Sequence, residues 1–415
     1  MTAALATIED EVTEFRPPPL RATPTRRIRD DAEALAVAEE VSAKLAEGAA
    51  VRDRERILPY EEMELISDAG LLAITVPKAC GGAGVHAGTV ARVIAALSRA
   101  DGSIGQIPQN HFFMLEGLRL QGTDEQKRFF YGRVLAGERL GNALSETGTK
   151  TAHDHATRIT RDGAIFRLNG RKFYSTGVLF AHWVAVVAND DNNVSTIAFV
   201  PRETKGITIV DDWSGFGQRT TGSGTTVLDN VEVHPFAILS FAALFERPTS
   251  MGPFAQIMHA AVEQGIAEAA LADTVHFVRY SARPAKDAGV DRASDDPYTV
   301  AIAGELKIRV DASNALLDRA ATFVERAQAE PAVETVAAAS VAVAEAKIAS
   351  TEAALLVASK LIELAGSSAT LAKHGLDRHW RNARTHTVHD PVRWKYRAVG
   401  DYWLNGVNPR RHGAI

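Results

Sequence analysis

The chain has 415 residues, 46% of them hydrophobic and 23% charged, which excludes a wholly disordered polypeptide and predicts two or three globular domains. Forty-six Lys and Arg against 51 Asp and Glu leave a net charge of -5, so no bulk basic balance points to nucleic acid. The single cysteine, Cys80, excludes a disulfide scaffold and a cysteine-rich metal centre.

Residues 1–29 mix acids, prolines and arginines and lack the apolar stretch of a secretion signal. No run approaches the ~20 apolar residues of a membrane span. The expectation is a cytoplasmic protein with no membrane segment. Arg16-Pro17-Pro18-Pro19 predicts an extended, flexible N-terminal arm. From Asp30 the pattern turns helical, with an N-cap residue type, acids in the first turn, and Leu35, Val37, Ala38, Val41 and Leu45 on one face. Further helical stretches at 60–69, 88–100, 103–120 and 123–135 predict an all-helical domain over 30–142.

The period then changes. Asp162-Gly163 and Asn169-Gly170 are tight-turn pairs between β-rich runs, and further runs follow at 182–188, 195–200, 207–210 and 225–233. They predict a small antiparallel barrel or sandwich over 143–240. Long, alanine-rich amphipathic segments at 254–283, 297–328, 332–365 and 377–388 predict a helical bundle over 241–415, followed by a short C-terminal tail. The expected fold class is therefore mainly α with a central β domain.

No Walker loop is present, and no G-x-G-x-x-G opens a helix after a strand, so a Rossmann nucleotide site is not expected. His386 and His389 are three apart on a predicted helix and share a face. With Asp390 they could begin a metal site, but no fourth ligand follows from the spacing, and the expectation is no metal. Asp390-Pro391 also fits the N-cap and first position of a following helix. The histidines lie among Arg381, Arg384 and Arg393, and nearby cations favour neutral rings that act as hydrogen-bond donors.

Asn110-His111 lies in an apolar helix before Phe112 and Phe113, which leaves two readings open: a satisfied core histidine, or a polar group in a ligand pocket. Three polar loops, 141–150, 173–177 and 215–224, offer amides and hydroxyls suited to a polar ring edge or a phosphate.

The domain order and four segments carry a family resemblance. The segments are Ala100-Asp101-Gly102-Ser103-Ile104-Gly105, Gly141-Asn142-Ala143-Leu144-Ser145-Glu146, Asp211-Asp212-Trp213, and the long run from Asp377 to Pro391. Over residues ~30–405 the chain resembles the acyl-CoA dehydrogenase superfamily. It is most similar to the flavin-dependent monooxygenase branch that includes dibenzothiophene monooxygenase and the sulfur-acquisition oxidoreductases. The resemblance implies a helical N-domain, a β domain and a four-helix bundle assembled as a homotetramer, with flavin between the β domain and the bundle. It implies that Asn142, Thr176 and His389 surround the reactive edge of the flavin, with His111 facing it. Ser145, Tyr174, Ser175, Arg283, Gly366 and Ser367 would complete the cofactor site, and Phe112, Phe113, Tyr174 and Trp213 the substrate walls, under a lid at 144–155.

Two departures from true dehydrogenases select the branch. Their catalytic glutamate aligns with Asp390, one methylene shorter and stiffened by Pro391. Their adenine-binding stretches read here Arg283-Pro-Ala-Lys286 and Glu363-Leu-Ala-Gly366-Ser367, a grip suited to a single phosphate. The implied enzyme takes reduced FMN from a separate flavin reductase, forms a C4a-hydroperoxyflavin with O2 and oxidises a small organosulfur compound in sulfur acquisition. The alternative is an FAD-dependent acyl-CoA dehydrogenase with Asp390 as base.

Overall fold

A computed structural model describes residues 14–151 and 154–415. Helices α1 (Asp31–Ala46), α2 (Ala49–Glu55), α3 (Tyr60–Asp68), α4 (Ala87–Ala100), α5 (Ile107–Gln121) and α6 (Asp124–Leu135) form the first layer. Local chemistry sets their starts. Asp30 caps α1 by accepting the Glu33 N–H, and Thr123 and Gln126 form a reciprocal capping box on α6.

The expected flexible arm is corrected for residues 14–29, while residues 1–13 lie outside the described part. Phe15 packs on Phe129 and Phe236 with ring centroids 5.3 and 4.9 Å apart. The Arg21 guanidinium bridges Glu64 and Asp68 at 2.7 and 2.5 Å. Arg133 donates to the carbonyls of Pro18 and Pro19. Charge pairing and aromatic packing hold this stretch against α3 and α6.

Strands β1 (Leu140–Ala143), β2 (Arg158–Asp162), β3 (Ile165–Lys172), β4 (Trp183–Asn189), β5 (Ser195–Pro201), β6 (Ile207–Val210), β7 (Thr225–Val233) and β8 (Ile238–Ser240) make one eight-stranded sheet. The order is β6-β7-β3-β2-β4-β5-β8, with β1 pairing β4. The sheet is mixed, because β1 and β2 both run parallel to β4. Asp162-Gly163 makes the expected hairpin turn, with Gly163 at φ 61° and Asp162 paired to Ile165. Asn169-Gly170 does not turn the chain. It sits inside β3 at a register shift against β7, where Asn169 Oδ1 accepts the Asn230 N–H.

The last layer holds α7 (Ala243–Glu246), α8 (Met251–Tyr280), α9 (Pro297–Ala329), α10 (Val333–Ala365), α11 (Asp377–His386) and α12 (Val392–Asn405). Helix α8 is buried along most of its length and packs against α4, α9 and α10. A helix buried on all sides must be apolar or pair its polar groups. Of its buried polar side chains, Gln264 is paired with Ser313 and Thr274 with the Ala270 carbonyl, while Gln256, His259 and Glu263 mark the site. No helix among the described residues is long and apolar enough to cross a membrane.

Candidate active site

The β domain supplies a polar shelf. Asn142 lies on β1, its backbone N–H donating to Thr176 O at 3.1 Å and its Oδ1 accepting the Leu144 N–H at 3.1 Å. Its Nδ2 meets only Tyr174 O, at 3.5 Å, so the amide keeps a hydrogen to donate. Beyond β3 the chain turns sharply, with Tyr174 at φ 56° and Gly177 at φ 79°. The turn buries the Thr176 hydroxyl in a file: Thr176 Oγ1 meets Ser223 Oγ at 2.7 Å, Ser223 Oγ meets Thr221 Oγ1 at 2.7 Å, and Thr221 donates to Gln218 O at 3.0 Å. It also exposes the Tyr174 ring, 6.1 Å from Trp213, whose indole donates to Gln218 O at 2.9 Å. Ser175 Oγ is buried without a partner. Half-buried Ser145 accepts the Phe173 N–H on its carbonyl at 3.0 Å.

The bundle supplies a stack of histidines. His386, on the last turn of α11, and His389, in the turn after it, have ring centroids 6.4 Å apart. The ring of His259 from α8 sits between them, 5.2 Å from His386 and 4.2 Å from His389. His259 Nδ1 meets His386 Nε2 at 3.1 Å, and His386 Nδ1 meets Glu263 Oε1 at 2.9 Å. Glu263 is ion-paired with Lys347 of α10 and accepts the Thr351 hydroxyl at 2.6 Å. Lys347 and His386 hold its carboxyl down at about 2 against the effect of burial. Burial pushes His386 down to about 4, with the Lys347 charge adding to it, and pushes His259 well below the usual histidine range.

The neutral-histidine expectation thus has a different cause. The cation facing the rings is Lys347, while Arg381 turns away to Asp53 and Asp377. His259 was missed by sequence reasoning. The available signal was a polar stripe at 256, 259 and 263, one face of a helix whose other residues there are mostly apolar.

Asp390 is not an N-cap. Helix α12 starts after Pro391 with no side-chain cap. The Asp390 carboxylate instead accepts His389 Nδ1 at 3.0 Å and Gln256 Nε2 at 2.9 Å. Against the effect of burial, His389 and the Lys395 ammonium hold it charged, well below the ordinary carboxyl range. One ligand atom each of His259, His389 and Asp390 falls within 4.8 Å of the others, and His386 is not a member of that group, its two ring nitrogens being held by Glu263 and His259.

One helix joins the two halves. The Gln218 N–H of the shelf donates to Asn382 Oδ1 on α11 at 2.7 Å, and Arg381 donates to Phe216 O at 3.0 Å. A Cβ on Gly217 would strike the Arg381 carbonyl, so glycine is required for this approach.

Other expected members lie elsewhere. Both ring nitrogens of His111 are committed to backbone: Nε2 donates to Leu72 O at 2.8 Å, and Nδ1 accepts the Leu140 N–H at 3.1 Å. With 2% of its surface exposed it has no hydrogen to offer a ligand, and the core reading holds. It steadies the strand that carries Asn142. Phe112 and Phe113 are core side chains of α5, and Phe113 faces Phe241 at 6.5 Å. Neither meets the Tyr174–Trp213 pair among the described ring contacts. Arg283, Gly366 and Ser367 are exposed at the ends of α8 and α10 and, among the described residues, bond to none of the shelf. Of the expected lid, residues 152–153 lie outside the described part. Its two ends are fastened by Glu146, which accepts the Ala156 and Thr157 N–H groups and pairs with buried Lys172 at 2.6 Å.

Comparison with known proteins places these features. Residues 28–138, 143–231 and 257–394 match the N-terminal, middle and C-terminal domains of acyl-CoA dehydrogenase. The chain is 33% identical to dibenzothiophene monooxygenase of Mycolicibacterium goodii, over 90% of this chain and 94% of that protein. It is 30% identical to the probable FMNH2-dependent monooxygenase SfnC of Pseudomonas putida, over 91% of this chain and 96% of that one. The crystal structure of FMN-bound TdsC from Paenibacillus sp. A11-2 superposes with a TM-score of 0.88 at 32% identity, covering 92% of this chain and 100% of that one. The chain belongs to the acyl-CoA dehydrogenase superfamily, in its branch of flavin-dependent monooxygenases.

Proposed function

We propose that the protein is the oxygenase of a two-component system. It would take reduced FMN from a separate flavin reductase, use O2, and oxidise a small organosulfur compound for sulfur acquisition, in the cytoplasm and as a homotetramer. The names of the relatives support FMN and sulfur chemistry.

The residues present fit a flavin. The exposed Tyr174 ring and the half-buried Trp213 ring offer a face, the Asn142 amide has a hydrogen to spare, and Ser175 Oγ is buried and unpartnered. Bound FMN would supply oxygen activation at its C4a position. Asn142, Thr176 and His389 would hold its reactive edge by hydrogen bonds. Among the described residues the side chains of Arg283 and Ser367 make no hydrogen bond or ion pair, and their exposure suits a phosphate brought by a neighbouring subunit. The exposed Trp394, Trp403 and Leu404 of α12 offer apolar surface for that assembly.

The observation that carries the proposal is Asp390. A dehydrogenase needs a free carboxylate base facing its thioester. Here that position is buried, holds two hydrogen bonds and stays charged far below neutrality, which makes it a weak base. The test is anaerobic binding of reduced FMN followed by mixing with O2 and a panel of sulfides, sulfones and sulfinates. Oxygenated product with O2 consumption is expected. Oxygen consumption yielding only peroxide with every compound rejects the sulfur assignment.

A further inference from the structure

Glu263 lies deep in α8, is fully buried, and touches neither the shelf nor His389 directly. Its chemistry nevertheless fixes the rings above it. An ionised carboxylate has no hydrogen to give, so the hydrogen between Glu263 and His386 must sit on His386 Nδ1. A neutral His386 then has a bare Nε2, which can only accept. The 3.1 Å contact therefore requires the hydrogen on His259 Nδ1. His259 is left neutral, in one tautomer, with its ring 4.2 Å from His389 at an angle of 34°. His389 is the one ring of the stack that reaches the surface, its side chain 45% exposed, and Asp390 takes its Nδ1 hydrogen.

The charged groups around this stack are accounted for on every packed element: Glu263 from α8, Lys347 from α10, Asp390 from the turn, and Lys395 from α12. Lys347 satisfies Glu263. Lys395 binds Gln256 Oε1 at 2.9 Å, and Gln256 in turn holds Asp390.

We propose that Glu263 is a positioning residue: through His386 it locks His259 as a neutral, single-tautomer platform beneath His389, so that His389 with Asp390 is the only member of the stack that exchanges a proton with a bound ligand. The inference rests on the oxygenase reading for its catalytic consequence but not for its geometry. A platform that could itself accept a proton would compete with His389 for charge and let its ring turn over.

Two measurements test this. Nitrogen-15 NMR of histidine-labelled protein without flavin should show two rings neutral and protonated at Nδ1 from pH 6 to 8. In Glu263→Gln that pattern should be lost, because the amide can present either a donor or an acceptor to His386. Intact single tautomers in that variant overturn the proposal, whatever the enzyme oxidises.

The second measurement is a double-mutant cycle on product formed per O2 consumed. Glu263→Gln should lower this ratio about tenfold or more by misorienting His389. His259→Phe replaces the platform with a ring that cannot change protonation, so adding Glu263→Gln to it should cost nothing further. Additive losses overturn the proposal. If Glu263→Gln fails to fold, the Glu263→Met/Lys347→Met pair removes both buried charges together and enters the same cycle.

Discussion

The Gln218 N–H donates to Asn382 Oδ1 at 2.7 Å, and this bond fastens the β-domain shelf to the helix that ends in His386. Both partners are buried. Asn382→Ala should leave the Gln218 N–H without an acceptor, at a cost of about 1–3 kcal/mol. Asn382→Asp keeps an oxygen at the same place and should recover most of it. Thermal unfolding measures the cost. The ratio of product to oxygen consumed shows whether the two halves lose alignment. Equal melting temperatures in Asn382→Ala and the parent protein would remove the bond from this account.

His111 is assigned to the core, where it holds β1 through Leu140 and so steadies Asn142 two residues on. His111→Ala orphans Leu72 O and the Leu140 N–H and opens a cavity, which should cost about 2–5 kcal/mol. Loss of stability should come with loss of coupling. A variant that is fully stable but inactive would instead place His111 against the ligand.

Several histidines give the fold a definite pH dependence. Burial lowers His111, His182 and His386 to about 4, and His259 well below its usual value. Between the unfolded value near 6.5 and the folded value near 4, the unfolded chain binds protons that the folded one does not. Stability contributed by these neutral rings is complete above pH ~6.5 and is lost as pH falls toward 4. Urea midpoints should therefore drop steeply over that interval, and less steeply in His111→Gln. A flat profile from pH 7 to 5 would contradict the assigned burial.

How much of this was legible beforehand depended on whether a feature is local. Asp30, Thr123 and Asp162-Gly163 act on neighbours within a few residues, and the elements they begin or turn fall where periodicity places them. The three polar loops of the shelf were visible as composition. The histidine stack was half visible, since His386 and His389 are close in sequence. His259 lies 127 residues from His386, and no local pattern announces that meeting. Asp390-Pro391 misled because its local chemistry fits a cap perfectly well. Tertiary donors, His389 and Gln256, claimed the carboxylate instead. Asn169-Gly170 misled in the same way, its turn preference spent on a bulge within a long strand.

Arg21 shows what the prolines before it concealed. Its side chain is 7% exposed, it pairs with Glu64 and Asp68, and its own N–H donates to Glu138. Arg21→Ala should destabilise the protein by about 1–3 kcal/mol, because Glu64 and Asp68 lose a charged donor while the backbone bond to Glu138 is kept. Hydrogen exchange should rise along residues 14–29 first. Unchanged exchange there would restore the flexible-arm expectation for that stretch.

The reading is most exposed at Asp390, where oxygenase and dehydrogenase chemistry part. A base must give up its hydrogen bonds to take a substrate proton, and Asp390 is held by His389 and Gln256 while His389 and the Lys395 ammonium favour its charged form. Flavin-loaded protein mixed anaerobically with acyl-CoA thioesters should therefore keep its oxidised flavin spectrum. Asp390→Asn should damage coupling through His389, since an amide that donates to Nδ1 reverses the tautomer of that ring. Asp390→Glu should not restore thioester chemistry, because the longer side chain meets the same two donors. Bleaching of the flavin by a thioester in the parent protein, abolished in Asp390→Asn and without oxygen uptake, is the result that would reassign the enzyme.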